Sequence, residues 1–343
     1  MKRRVLGALL RIAKALGAFR IARRLTRGDL RILCYHGAAV ADESAFSPGL
    51  FMTGATFERR MAFLAEQRYP VLPLGDALDR LADGSLPDGA TVITIDDGWV
   101  GTATVMAPIL ARHRFPATFY VATYYAARQA QVFNVAAAYA LWKAGPRDLD
   151  LAAVAPGLAG TFALAEPARR KAALDLLVRH ADSLPDAATR QQLLERLCEW
   201  AGVDVAALRD RRLFAFANAD ELRALAAQGV DVQLHTHRHR FPPGDRAAAM
   251  TEIEDNRRAL EGIAPGPFVD FCYPSGHYDE AQWPWLDALG MRSATTTKGG
   301  FARRRHHRFE LPRFLDSERI TPLEFEAEMS GLFELVRRLG YRI

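Results

Sequence analysis

From residue 31 onward, short apolar and β-branched runs alternate with segments in which apolar residues recur every three or four positions. Unbroken or period-two apolar runs suit strands, and a 3.6-residue recurrence suits helices with one buried stripe. The strand-like runs fall at residues 31–35, 69–74, 91–95, 117–121, 230–234, 268–273 and 292–296. Helical spacing marks 56–67, 101–113, 219–228, 246–262 and 279–289. Such alternation predicts β-α units repeated around a parallel sheet. Two helix starts carry their own chemistry, Asn218 with Glu221 and Thr321-Pro322 with Glu324, both of the capping-box kind. Residues 126–215 break the rhythm, being rich in alanine, leucine and charge at helical spacing, and are expected to form a helical insertion between two strands.

Ahead of this body, residues 1–28 form a separate basic, amphipathic unit. They hold nine Lys or Arg residues and no acid, although the whole chain carries only +5. Val5, Leu9, Ile12, Leu16 and Phe19 share one face of a helix, with Arg4, Arg11 and Lys14 opposite. That pattern fits a helix lying in the headgroup region of an anionic membrane, or equally one packed on the protein's own body. Arg11 and Lys14 interrupt the apolar stretch too early for a cleavable signal peptide, and no span of about 20 apolar residues follows. The expected location is therefore cytoplasmic, or peripheral on the cytoplasmic face of an inner membrane. A second basic run, 303–308, reads as a solvated face. No basic stripe interleaved with aromatics appears, which argues against nucleic acid as a partner. Cys34, Cys198 and Cys272 are odd in number and far apart, so they do not read as a disulfide framework.

Three segments carry chemistry. Asp96-Asp97-Gly98-Trp99 follows the apolar run ending at Ile95, so two carboxylates meet at a strand end. Adjacent carboxylates repel unless a cation or a shared proton relieves them, although Asp-Asp-Gly is also ordinary turn chemistry. His235-Thr236-His237-Arg238-His239 follows another strand. One helical turn would bring His235 and His239 to one side at metal-ligand reach and send His237 elsewhere; a surface histidine cluster is the alternative. Finally, Tyr273-Pro274-Ser275-Gly276 ends a third strand in a turn whose backbone N–H groups can face a developing oxyanion.

In this order, the Asp-Asp-Gly turn, the His-Thr-x-x-His segment and the Tyr-Pro-x-Gly turn resemble the polysaccharide deacetylase family. Cys34-Tyr35-His36 resembles the Tyr-His near that family's first strand, and the likeness extends over residues 31 to about 315 apart from the insertion. The resemblance implies an α/β fold, a distorted (β/α) barrel spanning 29–343, and a metal-dependent removal of N-acetyl groups from amino sugars. It implies Asp96 as general base, with Asp97, His235 and His239 as ligands of a divalent cation, zinc best and cobalt or nickel also suited. Thr236, Trp99, Tyr273, Pro274 and Gly276 would support the site or the substrate, and the N–H of Ser275 would meet the oxyanion. Two departures stand out. Cys272 occupies the place of an arginine that pairs with the base in many members, and Leu311-Pro312-Arg313 replaces a Leu-x-His whose histidine is the acid. The Leu-Pro-Arg form looks like the branch associated with bacterial exopolysaccharide and surface-glycan assembly, where His36 would be the acid. The expected partner is an N-acetylated glycan or lipid-linked saccharide; the alternative is a catalytically weak glycan-binding or assembly subunit that keeps fold and metal.

Overall fold

The computed structural model describes residues 2–341. Seven parallel strands close into a barrel: β1 (Arg31–Tyr35), β2 (Thr91–Ile95), β3 (Ala117–Val121), β4 (Val230–Leu234), β5 (Asp270–Cys272), β6 (Ser293–Gly299) and β7 (Leu311–Leu315). Their order around the barrel is their order in the chain, and β1 pairs with both β2 and β7 to complete the ring. Helices cover the outside while side chains fill the inside, so β1, β2 and β3 are buried at every position. This is why these strands read as unbroken apolar runs rather than alternating ones. All seven strands point the same way, so the residues that follow them collect at one mouth.

The ring differs from the sequence expectation in one strand. Residues 69–74 make only an isolated bridge, Val71 to Thr91, before a helix begins at Leu74. Pro70 and Pro73 remove two ladder donors from that run, which leaves too few for a strand. The vacancy is filled by β7, whose Pro312 hides it from pattern reading; Pro312 sits between Leu311 and Arg313, where the pairing with β6 shifts register between Thr295 and Gly299. The helix expected over 101–113 is also modified. It opens with a π-helical turn, Thr102–Met106, and turns α-helical at Ala107, with Pro108 unable to donate within the junction.

The insertion leaves the barrel after β3 and returns at β4. It holds helices α3 (Phe133–Ala144), α4 (Pro167–Ser183) and α5 (Ala187–Ala201), and also a small antiparallel hairpin, Asp148–Asp150 with Thr161–Ala163, that helical spacing did not announce. At the other side, α1 (Lys2–Ala15) and α2 (Ala18–Leu25) are separated by Gly17 in a left-handed turn. That break overturns the single apolar stripe expected there. Phe19 lies on α2 and is buried, while Leu6, Leu10 and Ala13 of α1 pack on the body and Val5, Leu9, Ile12 and Leu16 face outward. The capping boxes at Asn218 and Thr321 both form.

Candidate active site

The barrel's mouth gathers the motifs in space. Asp96 and Asp97 follow β2, His235 follows β4, Tyr273 follows β5 and His36 follows β1. Two carboxylates in adjacent positions of an extended strand would diverge, but Asp97 adopts φ 75° and Gly98 φ 124°, turning the chain at once. A side chain on Gly98 would also strike the Phe216 ring at 2.8 Å, so glycine is required twice over.

The histidine segment is an irregular loop rather than a helical turn. Thr236 (φ 64°) and His239 (φ 57°) are both left-handed, and together they bring the two imidazoles face to edge with centroids 4.8 Å apart. A helix with one buried face, α6 (Arg246–Glu261), holds this loop in place. The Asn256 Oδ1 accepts from the His235 N–H at 2.9 Å while its amide donates to the Val121 carbonyl and Thr123 Oγ1. The Glu252 carbonyl accepts from the His237 N–H, and its carboxylate accepts from the Arg238 N–H. Thr236 is buried, with its Oγ1 accepting from the Arg240 N–H. His237 points away from the other two, its Nδ1 paired with Thr123 Oγ1 at 2.9 Å.

Asp97 Oδ1 lies 3.3 Å from His235 Nε2 and 3.4 Å from His239 Nε2. Both separations are long for a hydrogen bond. Metal bonds of about 2.0–2.1 Å in a tetrahedron set ligand atoms about 3.3 Å apart, so the spacing is that of a ligand set. Two of the three candidate ligands are oriented from behind: His235 Nδ1 bonds the Cys272 carbonyl at 2.8 Å, presenting Nε2, and Asp97 Oδ2 accepts from Trp99 Nε1 at 2.7 Å. Burial alone would raise the Asp97 pKa; the contacts with His235 and His239 outweigh it and hold the carboxyl well below its ordinary range. The set fits a divalent cation in its donor types, spacing and ionisation. Replacing Trp99 with Phe keeps the aromatic packing on Phe51 and Phe216 and removes only the donor to Asp97. Cation affinity, measured by competition with a chromogenic chelator, is expected to fall about 10–100-fold.

Asp96 has a different environment. It is buried, and both its oxygens are held by Arg313, Nη1 to Oδ1 at 2.8 Å and Nη2 to Oδ2 at 2.7 Å. Arg313 is wholly buried, and its remaining donors go to Thr94 Oγ1, the Thr296 carbonyl and Cys272 Sγ. All five guanidinium N–H groups are thereby satisfied. Burial disfavours the Asp96 carboxylate, but Arg313 overcomes this and brings its pKa down to about 2. The position before the Tyr-Pro turn, where an arginine was absent from the sequence, therefore needs none. Arg313 reaches the same carboxylate from two strands further round the barrel, and Cys272 fills the space with its Sγ 3.4 Å from Asp96 Oδ2. Pattern reading missed this pairing, yet it left a signal: an arginine inside an apolar strand requires a buried acid.

Two other groups of possible ligands, Asp96 with His235 and Cys272, and Asp96 with Cys34 and His36, have donor atoms within 4.8 Å of one another. A cation there would sit beside the Arg313 charge, and burial pushes both thiols well above their ordinary pKa and so away from the thiolate form. Asp97, His235 and His239 remain the better set. His36 is half-buried, with a ring nitrogen within 4.8 Å of an Asp96 oxygen.

The Tyr-Pro-Ser-Gly turn contributes differently. Tyr273 is buried and spends its hydroxyl on the Phe309 carbonyl, so it packs under the site and does not face a substrate. Pro274 is buried and opens a tight turn in which Ser275 is left-handed and exposed. The N–H groups of Gly276 and His277 bond the carbonyls of Tyr273 and Pro274, leaving that of Ser275 unspent within the turn. Gly276 is obligatory, since a Cβ there would lie 2.0 Å from Thr297 Oγ1.

A cleft of about 420 Å³ runs from Asp97, Trp99 and His239 to the insertion, where Phe133, Val178 and Leu194 form its far wall. Tyr124, Tyr125 and the cations Arg128, Arg190 and Arg240 line the space between.

Residues 205–294, which include the histidine segment and the Tyr-Pro turn, match the family model of polysaccharide deacetylase. Most of the chain resembles solved structures of that kind. The Streptococcus pyogenes deacetylase PplD in complex with acetate aligns with TM-score 0.58 at 16% identity, covering 89% of this chain and 99% of that one. The fold is that of the polysaccharide deacetylases. IcaB from Ammonifex degensii gives TM-score 0.54 at 15% identity over 88% of this chain and 96% of its own. A de-N-acetylase from Aggregatibacter actinomycetemcomitans gives 0.53 at 14% over 87% and 98%. A short second match, to the DnaB-helicase binding domain of primase, covers residues 158–206, a stretch of the insertion that includes the whole of α4 and α5. No curated protein matches the chain by sequence. Within the polysaccharide deacetylase fold, the Asp-Asp and His-x-x-x-His motifs stand together at the mouth of the barrel.

Proposed function

We propose that this protein is a metal-dependent N-deacetylase that removes acetyl groups from amino sugars of a bacterial polysaccharide or a lipid-linked saccharide. The observation that carries the reading is the juxtaposition of two carboxylates in different states of engagement. Asp97 faces two imidazole nitrogens at ligand spacing, while the neighbouring Asp96 is held ionised by Arg313. A divalent cation held by Asp97, His235 and His239, zinc by preference with cobalt or nickel also suited, supplies Lewis-acid polarisation and water activation.

The chain's own groups then divide the proton work. Hydrolysis adds a hydroxyl to the acyl carbon and a proton to the nitrogen, giving acetate and a free amine. Asp96 stays ionised at neutral pH and takes the proton from water, and Arg313 fixes its orientation. His36, close to Asp96, delivers a proton to the departing amine. The Ser275 N–H stabilises the negative charge that develops on the carbonyl oxygen. The acetate named with the Streptococcus pyogenes relative is the product such chemistry releases. The cleft that continues to the insertion gives room for more than one sugar.

The alternative of a catalytically weak glycan-binding or assembly subunit rested on the missing arginine and late histidine, and Arg313 supplies the first of these from β7. The test is acetate release from N-acetylated amino-sugar oligosaccharides. Purified protein is expected to release acetate and free amine in equal amounts, to stop on chelation, and to recover on adding back a divalent cation. Full cation loading with no acetate from any such glycan would leave the binding-subunit reading standing.

A further inference from the structure

We propose that α1, α2 and the segment after α8 (Leu332–Arg338) form a single docking surface for an anionic phospholipid membrane, on which the barrel rests by its flank. The reading is independent of the chemistry at the mouth.

Among the described residues, the exposed large apolar side chains are confined to this surface. Six belong to α1, α2 and their junction: Val5, Leu9, Ile12, Leu16, Ile21 and Leu25. The other two, Leu339 and Tyr341, follow α8, which packs against α2. An isolated exposed leucine needs no explanation, but collection of all of them on one side does. These side chains are not left over from folding. An adjoining apolar stripe of α1, made by Leu6, Leu10 and Ala13, is the one that packs against α7 (Pro322–Met329) and α8. The helix is therefore apolar in two directions, and the body uses only one.

Charge identifies the occupant. Residues 1–28 contain nine cations and no acid. Arg4, Arg11, Arg20, Arg24 and Arg27 have no ion-pair partner among the described residues. Long arginine side chains flanking an apolar stripe suit lipid phosphates, with their stems along the apolar surface and their heads in the headgroup layer. A second copy of the chain would place like charges against like. No helix is long and apolar enough to cross a membrane, so the contact is interfacial.

The packing also sets the orientation. Arg3 donates to the Arg319 carbonyl beyond the mouth end of β7, and Lys14 pairs with Glu326 further along α7. Met329, at the end of α7, accepts from Arg31 at the base of β1. The first helix thus runs from mouth to base along the barrel's side. Docking through it lays the barrel axis along the membrane, and the mouth opens sideways at the surface.

The test is co-sedimentation of the full chain with phosphatidylglycerol or phosphatidylcholine vesicles. Phosphatidylglycerol vesicles are expected to carry down the protein at least about ten-fold more effectively, with the difference shrinking at high salt. The triple variant Leu9→Glu, Ile12→Glu and Leu16→Glu should remain in the supernatant with an unchanged melting temperature, because these side chains are exposed. Arg4→Glu with Arg11→Glu and Arg24→Glu should lose the salt-sensitive part. The proposal fails if the wild type ignores phosphatidylglycerol at low salt, or if the triple variant sediments like the wild type. It also fails if the wild type is a dimer that the triple variant dissociates without vesicles ever being bound.

Discussion

Asp96→Asn is expected to keep its cation and lose turnover by about 10²–10⁴-fold, the usual worth of a general base. The proposed ligand set does not include Asp96, so cation content measured by mass spectrometry should stay near that of the wild type. Acetate release should collapse, because a carboxamide cannot accept the proton. The substitution has a second effect that must be separated from the first. Arg313 is wholly buried and directs two of its five donors at Asp96. Removing the negative charge leaves that cation uncompensated, a change that costs about 3–5 kcal/mol where it has been measured in buried pairs. Asp96→Asn combined with Arg313→Gln should regain part of this stability in thermal unfolding and none of the activity. Turnover within about ten-fold of the wild type in either variant would remove Asp96 from the role of base.

His235→Ala and His239→Ala are each expected to lose cation and turnover together, down to background. The proposed set has three side chains, and among the described residues no fourth donor atom lies within 4.8 Å of all three. The two should differ in stability. His235 is buried, with its Nδ1 on the Cys272 carbonyl and its backbone on Asn256, so its truncation opens a cavity inside the barrel mouth. His239 is one-third exposed and its loss should change the melting temperature little. A histidine variant that turns over without its cation would show that the ligand assignment is wrong.

Much of this site was legible in the sequence because strand ends concentrate chemistry. Asp96, Asp97, His235 and Tyr273 each follow an apolar run directly, and a parallel barrel brings all such ends to one mouth. What was not legible depends on the third dimension. The His235 loop was expected to be a helical turn, but two left-handed residues at Thr236 and His239 achieve the convergence, and nothing local in Thr or His calls for φ above zero. The seventh strand was placed at residues 69–74 because Val71 and Leu72 looked apolar enough; Pro70 and Pro73 decided otherwise. Proline also concealed β7, and with it the partner of Asp96. The supports Asn256 and Glu252 sit on a polar-looking helix whose inward face becomes apparent only when it is packed. At the N-terminus, periodicity found an apolar stripe but could not show that Gly17 ends the helix and turns Phe19 inward.

The insertion between β3 and β4 supplies one wall of the cleft, while every proposed ligand and the proposed base come from elsewhere in the barrel. On the proposed reading, reactivity and recognition thus belong to separate stretches of chain. Under the proposed function, exchanging far-wall residues such as Val178 and Leu194 would change which glycan the cleft admits while the proposed ligands and base keep their places.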